Sequence, residues 1–135
     1  MTETNAATVR AFYDELWEQA DLTRLPALMH EDVAFQGTFG QVMRGHEAFA
    51  AYVRSVRHAF STYRCEVRDL LTQDARVAAR VLFSGRHDVG PFLDFPPCGR
   101  DLVWEGVGFF RLEDGRIRDL WVMGDMLGLM GQLKA

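Results

Sequence analysis

The spacing of hydrophobic residues along the chain changes once, near Tyr63. Before that point apolar side chains recur every three or four positions, a period that predicts amphipathic helices. After it they alternate with polar ones, a period that predicts β-strands. The pattern predicts helices over residues 6–19, 22–29 and 46–60, with a short strand at 33–35. It then predicts strands over 64–72, 76–86, 101–112 and 116–123, followed by an apolar tail at 126–133.

Helices followed by a long run of strands indicate an α+β fold. A twisted sheet of four to six strands cannot stay flat beneath amphipathic helices. We therefore expect N-terminal helices packed on a strongly curved, mostly antiparallel sheet that forms a cone around one pocket. The chain has 135 residues, the length of one ordinary domain, and we expect residues 1–135 to form it.

The strand at 101–112 carries the strongest indication of a pocket. Alternation places Trp104, Gly106, Gly108 and Phe110 on one face of that strand. Two glycines between aromatic residues remove side-chain volume, which predicts a cavity with the glycines in its floor. The same glycines are also explained by a bulged or sharply bent strand, and the sequence leaves both explanations open.

The other face of this strand is also apolar. Val103, Val107 and Phe109 take the positions opposite the pocket face. An uncovered sheet face of this kind would be a larger apolar patch than monomers usually expose. We therefore expect a homodimer that packs through the convex face of the sheet.

The last strand leads into a carboxylate. If the strand is regular, alternation brings Trp121, Met123 and Asp125 to the pocket. A carboxylate buried among apolar residues is suited to act as a general acid or base. Asp125 also opens the apolar tail, so it could instead cap a helix. From the first helix, Phe12, Tyr13 and Trp17 are expected at the walls or lid of the pocket.

His87 is the candidate catalytic histidine, because it lies where a strand meets a proline-rich loop, residues 90–99. The alternative is a hydrogen-bonding residue at the surface. His30, Glu31 and Asp32 are adjacent in sequence and do not point to one centre, so we expect no metal site. The sequence contains no glycine-rich nucleotide motif and no nucleophile elbow.

Composition narrows the class of ligand. The net charge of −4 argues against nucleic acid as a partner. No apolar run approaches the roughly 20 residues of a membrane span, and the polar N-terminus does not resemble a signal peptide. The two cysteines form no CxxC pair, and we expect a cytoplasmic protein. With 48% hydrophobic residues and ten phenylalanines, a small hydrophobic molecule is the expected partner.

Several segments, in their order and spacing, resemble the SnoaL-like polyketide cyclases, a family of the nuclear transport factor 2 and ketosteroid isomerase superfamily. The similarity covers nearly the whole chain. The segments that carry it are Val9-Arg10-Ala11-Phe12-Tyr13, Leu28-Met29-His30-Glu31-Asp32-Val33, Arg44-Gly45-His46-Glu47, Gly85-Arg86-His87-Asp88, Phe95-Pro96-Pro97-Cys98-Gly99-Arg100, Phe110-Arg111-Leu112-Glu113-Asp114-Gly115-Arg116-Ile117 and Trp121 with Asp125.

The resemblance implies a cone with a deep pocket, frequent dimers and no cofactor. It implies that Asp125, four residues after Trp121, is the acid/base group of an intramolecular aldol ring closure. His87 matches a common histidine of the family, whereas Gly108 stands where many relatives have a histidine.

Two functions are compatible with the sequence. In the first, the protein is an enzyme in which Asp125 removes a proton α to a carbonyl and His87 orients the substrate. In the second, it is a binding protein for an apolar metabolite. A buried Asp125 that faces the cavity favours the enzyme, and a capping Asp125 favours the binding protein.

Overall fold

The structure, a computed structural model, describes residues 2–135. Helix α1 (Thr2–Ala11) continues into a π-helical segment (Phe12–Glu18), and a 3₁₀ turn (Leu22–Arg24) leads into the short helix α2 (Leu25–Leu28). Helix α3 spans Gly45–Arg57 and α4 spans Met126–Lys134. The strands are β1 (Met29–Gln36), β2 (Val42–Arg44), β3 (Thr62–Gln73), β4 (Arg76–His87), β5 (Arg100–Glu113) and β6 (Arg116–Gly124).

The six strands form one sheet in the order β2-β1-β6-β5-β4-β3. Strands β3 to β6 are a continuous antiparallel meander, and β1 joins it parallel to β6. The sheet stays open, with β2 and β3 as its edges. The predicted α+β class and the change from helices to strands near Tyr63 are confirmed. Strand β2 was not predicted, because only three residues form it and its burial pattern is mostly exposed.

The helices cover one face of the sheet, and aromatic rings fill the space between them. Phe12 of the π-helical segment contacts Phe49 of α3 and Phe110 of β5, at ring-centroid distances of 5.8 and 5.3 Å. On β5, the residues that face the helices are buried at every second position from Leu102 to Leu112. Burying a side chain of this size contributes about 1.5–3 kcal/mol, so this layer holds the two halves of the chain together.

A β-bulge interrupts β6. Arg111 pairs with Asp119 and the next residue, Leu112, pairs with Ile117, so Arg118 has no partner on β5. Since each added residue reverses the side-chain alternation, Ile117 and Leu120 both face the helices. The last strand is therefore not regular, so the condition on which Trp121, Met123 and Asp125 were placed at the pocket is not met.

The second face of the sheet is mixed in character. Phe109 and Trp121 pack ring against ring at 5.6 Å, and Phe109 is 52% exposed. Val103 and Met123 are also exposed on this face. An ion pair between Arg80 and Glu105, with a nitrogen–oxygen distance of 2.9 Å, borders this apolar group. None of the helices within residues 2–135 is long and apolar enough to cross a membrane.

We expect wild-type protein to sediment as a homodimer at micromolar concentration, because association would remove the exposed ring pair of Phe109 and Trp121 from water. Phe109→Lys should convert it to monomer, since pairing would then bury an uncompensated charge. The control is Leu127→Lys, which changes a residue of α4 that is 88% exposed, and it should remain dimeric. A monomeric wild-type protein would refute dimerisation through this face.

Candidate functional site

A cavity of about 230 Å³ lies between the helices and the sheet. All 21 lining residues that the structure describes are uncharged, and ten of them are aromatic. The lining consists of Phe12, Tyr13, Trp17, Phe35, Gly37, Thr38, Phe39, Gln41, Met43, Tyr52, Ser55, Val56, Tyr63, Phe83, Pro91, Phe92, Leu93, Trp104, Val122, Gly124 and Met126. Such a lining suits a flat, uncharged, hydrophobic ligand.

Aromatic contacts fix the walls. Phe83 of β4 and Trp104 of β5 stack with 5.6 Å between their centroids. Opposite them, Trp17 meets the ring of Tyr52 edge-to-face at 5.5 Å. Offset and edge-to-face ring pairs of this kind add about 0.5–1.5 kcal/mol each beyond burial, so the walls are largely preformed.

Three tyrosines supply most of the hydroxyl groups of the cavity. Burial raises the pKa of Tyr13, Tyr52 and Tyr63 above the ordinary tyrosine value, and for Tyr13 and Tyr63 the neighbouring Cys65 raises it further. The guanidinium of Arg57, 5.1 Å from the ring centroid of Tyr63, opposes this increase only in part. All three phenols are therefore neutral at physiological pH and can donate hydrogen bonds.

The predicted wall residues divide into two groups. Tyr13, Trp17 and Trp104 line the cavity, as does Phe12. Phe110 lies behind them, 2% exposed, with its ring packed edge-on against Phe12 and Tyr13.

The two glycines of β5 do not form the predicted floor. A β-carbon on Gly108 would lie 2.7 Å from the Tyr13 hydroxyl oxygen and 2.8 Å from the Phe110 ring. One on Gly106 would lie 2.9 Å from the ring of Phe83. The glycines therefore leave room for neighbouring side chains, and those side chains occupy the space.

Trp121 and Met123 were predicted to line the cavity and lie instead on the opposite face of the sheet. They pair with Phe109 and Val107 of β5, which point away from the helices. The bulge in β6 causes this reversal, and it brings Val122 and Gly124 to the cavity instead.

Asp125 is exposed and caps helix α4. Its Oδ1 accepts a hydrogen bond of 2.9 Å from the backbone N–H of Gly128, and its own N–H donates to the Glu105 carbonyl. The residues on either side of it, Gly124 and Met126, do line the cavity. The capping alternative is thus the arrangement present in this structure, at a position beside the cavity rim.

His87 is completely buried and is neither a surface residue nor a lining residue. The backbone N–H of Cys98 donates to its Nδ1 at 3.4 Å, so Nε2 carries the proton and donates to the Gly90 carbonyl at 2.9 Å. Its ring packs against Phe60 and Phe92. His87 therefore holds the loop between β4 and β5, whose residues Pro91, Phe92 and Leu93 line the cavity.

Sequence reasoning missed the lining residues of α3 and of two loops. Tyr52 and Val56 share a helical face with Phe49, which was a usable signal. Leu93 is held by a tight turn in which Phe92 and Phe95 exchange two backbone hydrogen bonds of 2.9 Å. Leu93 and Asp94 both have positive φ values in this turn, 51° and 67°. Positive φ is uncommon outside glycine, so the sequence does not predict this conformation.

Outside the cavity, His30 approaches the β5–β6 turn. One ligand atom each of His30, Glu113 and Asp114 lies within 4.8 Å of the others. Glu113 and Asp114 are exposed, and the His30 Nε2 is 3.6 Å from the Glu113 carboxylate. This contact is an ion pair when the histidine is protonated, and we assign no metal to it.

We expect His87→Asn to open the cavity by releasing the loop at residues 88–99. Loss of the two hydrogen bonds of the His87 ring should lower the free energy of unfolding by about 1–3 kcal/mol. It should also weaken the binding of 1-tetralone, which is measured by quenching of tryptophan fluorescence. The control is His46→Asn, which removes a 2.8 Å bond to the Met29 carbonyl far from this loop. It should lower stability without changing affinity, and equal affinity for both variants would contradict the assigned role of His87.

Comparison with known proteins identifies the family of this chain. The family model of the SnoaL-like polyketide cyclases matches residues 7–133. The aklanonic acid methyl ester cyclase DnrD of Streptomyces peucetius is 37% identical over 92 residues, which cover 67% of this chain and 63% of that protein. The nogalonic acid methyl ester cyclase of Streptomyces nogalater is 37% identical over 90 residues, which cover 66% of each chain.

The match thus spans less than two thirds of the length of these relatives. A solved structure from Jannaschia sp. CCS1, assigned to the SnoaL-like polyketide cyclases, superimposes with a TM-score of 0.91 at 24% identity and covers 99% of this chain and 94% of its own. That likeness confirms the fold. Because the family model covers nearly the whole chain, this protein belongs to the SnoaL-like polyketide cyclase family.

Proposed function

We propose that the protein is a cofactor-independent cyclase that closes a ring in a hydrophobic carbonyl compound by an aldol-type step. The observation that carries this proposal is the uncharged, aromatic cavity between the helices and the sheet. Its lining suits a flat, uncharged, hydrophobic compound, and two Streptomyces relatives are named as cyclases of aklanonic and nogalonic acid methyl esters. Membership of the cyclase family supports the same class of reaction.

The proposed reaction makes and breaks bonds only within the substrate. A base removes a proton from a carbon α to a carbonyl, and the resulting enolate carbon attacks a second carbonyl carbon. One carbon–carbon bond forms, the attacked carbonyl becomes an alkoxide, and that oxygen takes up a proton. The product is an isomer of the substrate, so the reaction consumes no oxidant or reductant.

The protein contributes by fixing the shape of the reaction site and by excluding water from it. A flexible substrate must fold so that the enolate carbon and the second carbonyl meet, and a rigid cavity selects that conformation. The ring contacts of Phe83 with Trp104 and of Trp17 with Tyr52 supply such rigidity. Excluding water also protects the enolate from being reprotonated by solvent.

We propose Asp125 as the general base, because it is the carboxylate between two lining residues, Gly124 and Met126. Its Oδ1 is engaged by the Gly128 N–H, whereas its Oδ2 accepts no hydrogen bond within residues 2–135. The second oxygen is thus available to take up a proton at the cavity rim. In this proposal His87 orients the substrate indirectly, through the loop that carries Phe92 and Leu93.

A specific observation favours a second candidate, a non-catalytic binding protein for a hydrophobic metabolite. The Asp125 carboxylate is exposed and serves as the cap of α4. A side chain with that structural task does not need a catalytic one. The two candidates differ in whether the protein turns over a ligand that it binds.

The Asp125→Asn variant distinguishes the capping role of Asp125 from its proposed role as a base. Asparagine caps helices about as well as aspartate, so the free energy of unfolding should stay near wild type. It cannot accept the substrate proton, so kcat should fall about 10²–10⁴-fold. The measurement is conversion of aklanonic acid methyl ester or nogalonic acid methyl ester to an isomer of unchanged mass, followed by chromatography.

Asp125→Ala is the matched control, because it removes both the base and the cap. It should lose the same activity and also about 1 kcal/mol of stability. Full turnover by Asp125→Asn would eliminate Asp125 as the base. Tight binding of both esters by wild-type protein without any conversion would favour the binding protein.

A further inference from the structure

The ring of Tyr13 is held rigidly at the inner side of the cavity. Its side chain is only 3% exposed. It meets Phe12 and Phe110 nearly edge-on, at centroid distances of 5.0 and 5.8 Å, and Phe83 at 6.2 Å. Rings on three sides leave it one orientation, so its hydroxyl oxygen has a fixed position.

Gly108 leaves the space that this hydroxyl occupies. A β-carbon at residue 108 would lie 2.7 Å from the oxygen, closer than real contacts allow. Gly108 lies in regular strand pairing with Ala79 and Val122, and its φ is not positive. Backbone conformation therefore does not require glycine there, whereas the Tyr13 hydroxyl and the Phe110 ring do.

The hydroxyl has no hydrogen-bond partner within residues 2–135. Thr38, another hydroxyl of the lining, accepts a bond of 3.0 Å from the Gly124 N–H. Burial raises the pKa of Tyr13, with a contribution from Cys65, so the phenol keeps its proton and remains a donor. Because Tyr13 lines the cavity, its free hydroxyl can donate to an acceptor group of a ligand that enters there.

We propose that the Tyr13 hydroxyl, in the space left by Gly108, donates the hydrogen bond that fixes one carbonyl oxygen of the ligand inside the cavity. This inference rests on the proposed function in one respect, that the ligand carries a carbonyl group. During ring closure the same bond would strengthen as negative charge develops on that oxygen. Tyr13 would then select which carbonyl is polarised, and so which α-proton becomes acidic.

The test compares Tyr13→Phe with Thr72→Val, which removes one hydroxyl from strand β3 outside the cavity. The probes are 1-tetralone and tetralin, two bicyclic molecules of which only the first has a carbonyl group. Binding is followed through the fluorescence of Trp17 and Trp104, which line the cavity. The carbonyl stretching frequency of bound 1-tetralone is measured by infrared difference spectroscopy.

Tyr13→Phe should weaken 1-tetralone binding roughly 3- to 10-fold, the usual worth of one neutral hydrogen bond. It should leave tetralin binding unchanged and raise the carbonyl frequency of bound 1-tetralone. Thr72→Val should change none of these quantities. The melting temperature of Tyr13→Phe should not fall, because the hydroxyl has no partner in the protein to lose.

Gly108→Ala provides a second, independent variant. Its methyl group should displace the Tyr13 hydroxyl and press on the Phe110 ring, so it should weaken 1-tetralone binding more than tetralin binding. Added to Tyr13→Phe, it should cause a smaller loss of 1-tetralone affinity than it causes alone. The proposal is overturned if Tyr13→Phe binds 1-tetralone as wild type does, if it weakens both probes equally, or if wild-type protein does not bind 1-tetralone. None of these results depends on turnover, so a failed cyclase assay would leave this test intact.

Discussion

The packing of the π-helical segment against strand β5 is the contact on which the rest of the structure depends. In the π-helical segment Phe12, Tyr13, Leu16 and Trp17 are all buried. The backbone bond from the Gln19 N–H to the Asp14 carbonyl, 3.1 Å, spans five residues and closes this wide turn. These four large side chains all belong to the core, and three of them, Phe12, Tyr13 and Trp17, also form one wall of the cavity.

Rigidity around the cavity comes from neutral interactions. Stacked and edge-on aromatic pairs set the walls, and the two ring nitrogens of His87 tie down the loop that carries Phe92 and Leu93. The charged groups pair away from the cavity, as in the contact between Arg80 and Glu105 on the convex face. An interior without charges can take up an uncharged ligand without first having to desolvate an ion.

The chain departs from the expected family pattern at two linked places. The strand residue that many relatives are expected to have as histidine is Gly108, and the space beside it holds the Tyr13 hydroxyl from the opposite wall. The carboxylate expected to act as base caps α4 at the rim, and its Oδ2 accepts no hydrogen bond within residues 2–135. In the reaction proposed above, acid/base chemistry would be shared between a neutral donor inside the cavity and a carboxylate at its mouth.

The sequence by itself determined which segments are helices and strands, because apolar spacing follows the helical or strand period and changes near Tyr63. It also determined the inward face of β5, since Trp104 and Phe110 are two large residues on the same side of a strand. The wall residues Tyr13, Trp17 and Trp104 followed from the same patterns. These features are local, and local periodicity is enough to indicate them.

Only the tertiary structure decided the rest. Arg118, which pairs with no residue of β5, turns Trp121 and Met123 to the outer face of the sheet. Nothing in the sequence of residues 117–120 distinguishes a bulge from a regular strand. The ring nitrogens of His87 meet backbone groups of Gly90 and Cys98, which only the folded loop brings to them. The Asp125 cap and the space that Gly108 leaves for Tyr13 likewise depend on contacts in the folded chain. The spacing of residues along the sequence does not give the distances between the groups that meet there.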